Sequence, residues 1–129
     1  MVPEIIFFNR EVLGVVRDEP KLLSDEEARW LRRALLEEID EFTEAHGAEQ
    51  LPMAVDGLID LIYFAIGGLY RMGLDENKIN ACFIAVHTAN LSKKRGVKAT
   101  RPQDGSVADA VKTRDFVDPV TVIEKILRV

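Results

Sequence analysis

The chain has a single cysteine, Cys82, inside the apolar run Ala81-Cys82-Phe83-Ile84-Ala85-Val86. An internal disulfide and a cysteine-based zinc site are therefore excluded, and Cys82 is expected in the core. A surplus of positive charge is also missing, since 22 Asp and Glu outnumber 17 Lys and Arg for a formal net charge of −5. Its basic residues are scattered, apart from Lys93-Lys94-Arg95 with Lys98 and Arg101 close by. That pattern argues against a phosphate-backbone footprint for polymeric nucleic acid, although a short basic cluster is enough for a small anion. The start, Met1-Val2-Pro3-Glu4, lacks the basic region, apolar stretch and cleavage site of a secretory leader, so a cytoplasmic protein is expected. The longest apolar stretch is broken by Asp60 and ends at Arg71, and no membrane role is expected from it. Neither an internal repeat nor a low-complexity segment is present.

With 47% apolar and 30% charged residues over 129 positions, the composition suits one globular domain spanning 1–129. Five segments read as helical. The first runs from about Glu4 to Val16, with strand as the competing reading for its β-branched start, and Asp18-Glu19-Pro20 ends it. Ser24 followed by Asp25-Glu26-Glu27 predicts a capping-box start for a helix reaching His46, with Gly47 as its stop. Pro52 opens a third helix to about Met72, and Asp75 caps a fourth that ends near Leu91 or Lys94. Residues 96–118, with Pro102 and Asp104-Gly105, read as a flexible loop, after which Asp118-Pro119 starts a terminal helix to Leu127. The expected fold is all-α, an antiparallel bundle of four to five helices. Its third helix is apolar on too many sides for one short partner to cover, so a homo-oligomer, dimer or tetramer, is expected with that helix in the interface.

Carboxylates carry the chemistry. At about 100° per residue, Glu37, Glu38 and Glu41 share an arc of roughly 100°, and Glu38 borders the apolar stripe of Leu31, Leu35 and Phe42. On the next helix Asp56, Asp60, Tyr63 and Gly67 form one polar line, with Asp60 set in an otherwise apolar run. If the two helices pack antiparallel, all five acids converge. A carboxylate buried without a cation is costly, and close carboxylates cannot all ionise uncompensated. Hard oxygen donors in this number suit Mg²⁺ or Mn²⁺, one to three ions, rather than zinc or copper. The same Glu-Glu-x-Asp-Glu run also reads as a solvated helix face. Farther on, His87, Asn90 and Lys93 recur at intervals of three. Lys93 or Lys94 suits a phosphate as a point charge, while an interface histidine and an ordinary basic helix end are the alternatives.

These motifs, Glu37-Glu38-x-x-Glu41, Asp56-Gly-Leu-Ile-Asp60-Leu-Ile-Tyr63 and Val86-His87-x-x-Asn90-x-Ser92-Lys93, together resemble the all-α nucleotide pyrophosphohydrolases. Those are the MazG-like enzymes and their phosphoribosyl-ATP pyrophosphohydrolase relatives, and the likeness is to the phage-type branch. It extends to Phe8-Asn9-Arg10-Glu11-Val12-Leu13-Gly14 at the start and to Lys98 and Pro119 at the end. The resemblance implies metal-dependent hydrolysis of a nucleoside triphosphate to monophosphate and pyrophosphate, by oligomers that share residues between subunits. A deoxynucleotide is expected, with dGTP and dUTP as first candidates and phosphoribosyl-ATP less favoured. By the same resemblance Glu38, Glu41, Asp56 and Asp60 are ligands, and Glu37 is a further ligand or the general base, with Glu37 and Glu38 as the catalytic candidates. Asn9, Tyr63, His87, Asn90, Lys93, Lys94 and Lys98 are candidates for holding the substrate. One departure stands out: the second motif ordinarily reads Glu-x-x-Asp, and its glutamate position falls on Gly57, next to Asp56. That departure motivates two rival readings, a weakened homologue that binds metal or nucleotide without turnover and a structural helical interaction protein.

Overall fold

Ser24 starts the longest helix of the protein. Its hydroxyl accepts from the Glu27 N–H at 3.1 Å, and the chain stays helical from Asp25 to Gly47, designated α2. Only half of the expected capping box forms. The Glu27 carboxylate is drawn instead to Arg17, at 2.7 and 2.8 Å, and to Arg71, at 3.3 Å. The helix also passes through Gly47, contrary to expectation. The left-handed residue of the turn is Glu49, at φ 57°, and the Gln50 N–H returns to the Ala45 carbonyl at 2.8 Å.

A computed structural model of the chain describes residues 1–102 and 109–128. Before α2 lies α1, Val2–Phe7, which runs into a wider π-type turn over Phe8–Val12. The first helix is thus shorter than the sequence suggests and ends at Gly14, φ 68°. After the turn at Ala48–Gln50 come α3, Leu51–Arg71, and α4, Glu76–Leu91. Asp75 accepts from the Lys78 N–H at 2.8 Å, as a cap does. The terminal helix α5, Pro119–Leu127, is capped by Asp118, which accepts from the Val120 N–H at 2.9 Å. Helices α2 and α3 pack along their lengths in opposite directions. Phe42 meets Gly57 near the turn, while Leu31 meets Gly68 and Glu27 meets Arg71 within one turn of each other at the far end. The protein is an all-α helical bundle.

The chain divides into two compact units, Met1–Ile79 and Asn80–Val129, with the boundary inside α4. In the first, the small buried residues Ala34, Ala45, Ala54, Gly57, Gly67 and Gly68 let α2, α3 and the N-terminal turn close on one another. In the second, the segment expected to be a loop contains a short antiparallel ladder. Its strands are β1, Lys94–Arg95, and β2, Ala110–Val111, with Lys94 opposite Val111. Residues 103–108, the middle of that expected loop, lie outside the described residues. Cys82 is half-buried rather than a full core residue.

Helix α3 is longer than the apolar run read from the sequence. At 21 residues it is long and apolar enough to cross a membrane by length and composition alone. One face of α3 is closed by α2, while Val55, Leu58, Ile59 and Ile62 stay exposed, Ile59 at 54%.

Candidate metal centre

Three carboxylates, Glu38 and Glu41 from α2 and Asp60 from α3, place one oxygen each within 4.8 Å of one another. The placement follows from helix geometry. Glu38 and Glu41 precede the contact residue Phe42 by four and one positions, and Asp60 follows the contact residue Gly57 by three. At about 100° per residue, all three fall on the same flank of the Phe42–Gly57 contact.

The members differ in solvent access. Glu38 is buried, at 9% exposure, Asp60 is half-buried and Glu41 is exposed. The Glu38 Oε2 atom is fully buried and has no hydrogen-bond partner among the described residues. Burial pushes the Glu38 carboxyl up to about 7, helped by a hydrogen bond and charge repulsion from Glu41 and by the charges of Asp60 and Asp56. Burial likewise raises Asp60, followed by the charges of Asp56 and Glu41. A buried acceptor with nothing to accept from carries a desolvation penalty, which a cation shared with the neighbouring carboxylates removes. The donors are all carboxylate oxygens, the chemistry of a hard divalent ion. The residues present therefore fit a metal of that class.

Asp56 is exposed on α3, one turn before Asp60, and close enough to raise both Glu38 and Asp60. With Glu41, Glu44, Gln50 and Met53 it lines an open cavity of about 660 Å³ beside the turn between α2 and α3. Glu37 is exposed and stands outside the group of three. Its one-residue offset from Glu38 rotates it about 100° away from the buried flank.

This constellation coincides with a family match. The model of the phosphoribosyl-ATP pyrophosphohydrolase family matches residues 8–90. The chain belongs to that family. Its members are pyrophosphohydrolases, hydrolases that act on phosphoric anhydride bonds, and the chain is an enzyme of that class. The match to the phosphoribosyl-ATP pyrophosphohydrolase family contains all three clustered acids and Asp56, and it ends before Lys93, Lys94 and Lys98. No curated protein matches the chain. The family belongs to the MazG-like all-α superfamily, in agreement with the resemblance drawn from the motifs.

The remaining candidates divide between the two units. Asn9 is buried, with its Nδ2 donating to the Ile5 carbonyl at 2.9 Å, and it faces Gly67. Tyr63 packs edge-on against Phe8, with ring centroids 5.5 Å apart. In the second unit His87 lies parallel to Phe83 at 5.9 Å, and both rings are exposed. Asn90 and Lys94 are exposed, Lys98 is half-buried, and Lys93 reaches over the Phe116 ring at 5.7 Å, as does Lys112 at 4.8 Å. Phe116 escaped the sequence reading, because a single aromatic in a loop carries no periodic signal.

Proposed function

We propose that this protein is a divalent-metal-dependent nucleoside triphosphate pyrophosphohydrolase that converts a deoxynucleotide, such as dGTP or dUTP, to its monophosphate and pyrophosphate. The observation that carries this reading is the Glu38 Oε2 atom, buried, unpartnered and within reach of Glu41 and Asp60. Glu38, Glu41 and Asp60 would hold the ion, with Asp56 as the fourth carboxylate, and Mg²⁺ or Mn²⁺ suits them. The ion supplies charge neutralisation at the phosphate oxygens and acidification of the attacking water.

The chain's own groups do the rest. Asp60 and Glu38, held by two packed helices, fix the site without loop motion. Glu37, exposed beside the cluster, is suited to accept the proton of an incoming water, because it is not tied up among the clustered acids. Tyr63 and Asn9 border the stripe that leads away from Asp60 and support a nucleoside. The basic residues Lys93, Lys94 and Lys98, with His87 and Asn90, are suited to the anionic end of a substrate. A homo-oligomer would cover Val55, Leu58, Ile59 and Ile62 of α3.

Ion-exchange product analysis after incubation with each common NTP, each dNTP and phosphoribosyl-ATP, with Mg²⁺, Mn²⁺ or EDTA, tests the proposal. The expected result is monophosphate and pyrophosphate in equal amounts from a restricted set of deoxynucleotides, only with metal. Products from phosphoribosyl-ATP alone would overturn the substrate assignment, and Mn²⁺ binding without turnover of any of these nucleotides would make the protein a binding homologue.

A further inference from the structure

Glycine inside a helix is less favourable than alanine, because it loses more backbone freedom on folding, so a buried one calls for a reason. Gly57 stands in the interior of α3, where a Cβ would lie 3.3 Å from the Phe42 nitrogen, 3.4 Å from its Cα and 3.5 Å from its Cβ. These atoms are near-rigid parts of α2, unlike the other neighbours met along α3. At Gly68 a Cβ would meet the end of the Leu31 side chain, and at Gly67 the amide of Asn9. The end of the Leu31 side chain can turn aside, and the Asn9 amide is a side chain held by one hydrogen bond to the Ile5 carbonyl, whereas the Phe42 backbone can move only if α2 moves.

The same contact is the pivot of the carboxylate group. Glu38 and Glu41 lie about 40° and 100° to one side of Phe42, and Asp60 and Asp56 about 60° and 100° to the matching side of Gly57. Any separation of the two helices here is passed directly to the oxygens that now sit within 4.8 Å.

We propose that Gly57 is a positioning residue: having no side chain, it lets α3 rest on the Phe42 backbone, and that approach sets the spacing at which Glu38, Glu41 and Asp60 share an ion. The inference rests on the metal-site reading above. Its consequence runs against the motif. A glutamate at position 57 does not add a ligand to this chain. It pushes α3 off α2 and disperses the three that are there.

The test is Mn²⁺ titration of the full chain, followed by electron paramagnetic resonance, for the native protein, Gly57→Ala, Gly57→Glu and Gly68→Ala, with helicity read by circular dichroism. Gly57→Ala and Gly57→Glu should stay helical and bind Mn²⁺ about tenfold or more weakly, the size of effect expected when the support of a metal site is disturbed. Gly68→Ala should lose thermal stability yet hold Mn²⁺ within about twofold of native, because the end of the Leu31 side chain can turn and lies about two turns from Glu38, the nearest of the acids on its helix. Native-like Mn²⁺ affinity in Gly57→Ala, or tighter binding in Gly57→Glu, would overturn the inference while leaving the metal site standing. Failure of the native chain to bind Mn²⁺ would instead sink the metal-site reading itself. If a Gly57 variant is unfolded in plain buffer, the titration is repeated in trimethylamine N-oxide, which favours the folded chain without adding contacts, and the same two readings apply.

Discussion

Glu38 and Asp60 bring carboxylate oxygens from antiparallel helices to within 4.8 Å of each other, with Glu41 as the third member of the group. Repulsion among them is not relieved by any lysine or arginine ion pair formed by these three acids among the described residues. At the far end of the same helix pair, Arg17 and Arg71 both go to Glu27. The fold thus separates its charges, with the half-buried Glu27 neutralised twice and the buried Glu38 given no cation among the described residues.

Removing one member without changing its size should expose the role of the group. Glu41→Gln and Asp60→Asn are each expected to lower divalent-dependent turnover on the order of 100-fold or more. Circular dichroism and sedimentation should remain native, because each amide keeps the size of the acid it replaces and the one at position 41 can still donate to the Glu38 carboxylate. Steady-state pyrophosphate release with Mg²⁺ checks this, and near-native turnover in either variant would remove the proposed site.

The buried position of Glu38 makes stability depend on pH in a defined direction. Its carboxyl titrates near 4.5 ordinarily and at about 7 in the fold, so the folded chain holds the proton more tightly. The resulting contribution is complete below pH 4.5 and is lost as pH rises through about 7. Glu38→Gln cannot titrate. In EDTA it should therefore melt at nearly the native temperature at pH 4.5 and several degrees above native at pH 8. Saturating Mn²⁺ should reverse the order, since only the native chain gains the ligand's binding energy. Thermal unfolding followed by circular dichroism across that range reads both effects, and a native chain whose stability rises from pH 5 to 8 in EDTA would contradict the burial argument.

At the opposite end of the α2–α3 pair, Arg71 carries structural weight. It donates to Glu27 at 3.3 Å and lies over the Trp30 ring at 4.3 Å, with Trp30 edge-on to Phe64 at 6.0 Å. Arg71→Ala should cost about 1–3 kcal/mol through the lost charge-assisted bond and ring contact. Arg71→Lys should recover only part, because an ammonium cannot stack as a guanidinium does. Urea denaturation with metal absent gives both values. Mn²⁺ affinity should be unchanged, as Glu27 and Glu38 are about three turns apart.

What the sequence revealed, and what it concealed, follows the range of each interaction. Ser24, Asp75 and Asp118 were legible as caps because a cap acts within three residues. The helical period put the acids of each helix on one arc, and the expected antiparallel packing across the short turn then brought the arcs together, although only Glu38, Glu41 and Asp60 of the five form the close group. Glu38 was set apart from Glu37 by its place beside the Leu31, Leu35 and Phe42 stripe, but how deeply it is buried depends on Gly57 meeting Phe42, which no local pattern gives. Glu27 was misread for the same reason. A capping box is local, but Arg17 and Arg71 reach Glu27 from 10 and 44 positions away. The β1–β2 ladder has two residue pairs and no alternating pattern long enough to announce it. Gly47 looked like a stop, yet the helix goes on through it because the left-handed turn is taken by Glu49.

The exposed side of α3 leads to the last expectation. Val55, Leu58, Ile59 and Ile62 recur at helical spacing with exposures of 52%, 45%, 54% and 38%, while Asp56 and Asp60 occupy the neighbouring line. A soluble chain rarely leaves such a stripe to water, and a second copy offering the same stripe would cover it with no buried charge to neutralise. Ile59→Lys should then convert the assembly to monomer in sedimentation equilibrium at micromolar concentration. Its own carboxylate cluster lies on another flank, so Mn²⁺ binding by the separated chain should persist. Turnover is the informative readout: activity that falls with dissociation while Mn²⁺ is still bound would mean that the partner copy supplies part of the substrate site. An unchanged molecular mass in Ile59→Lys would mean that this stripe is not the interface.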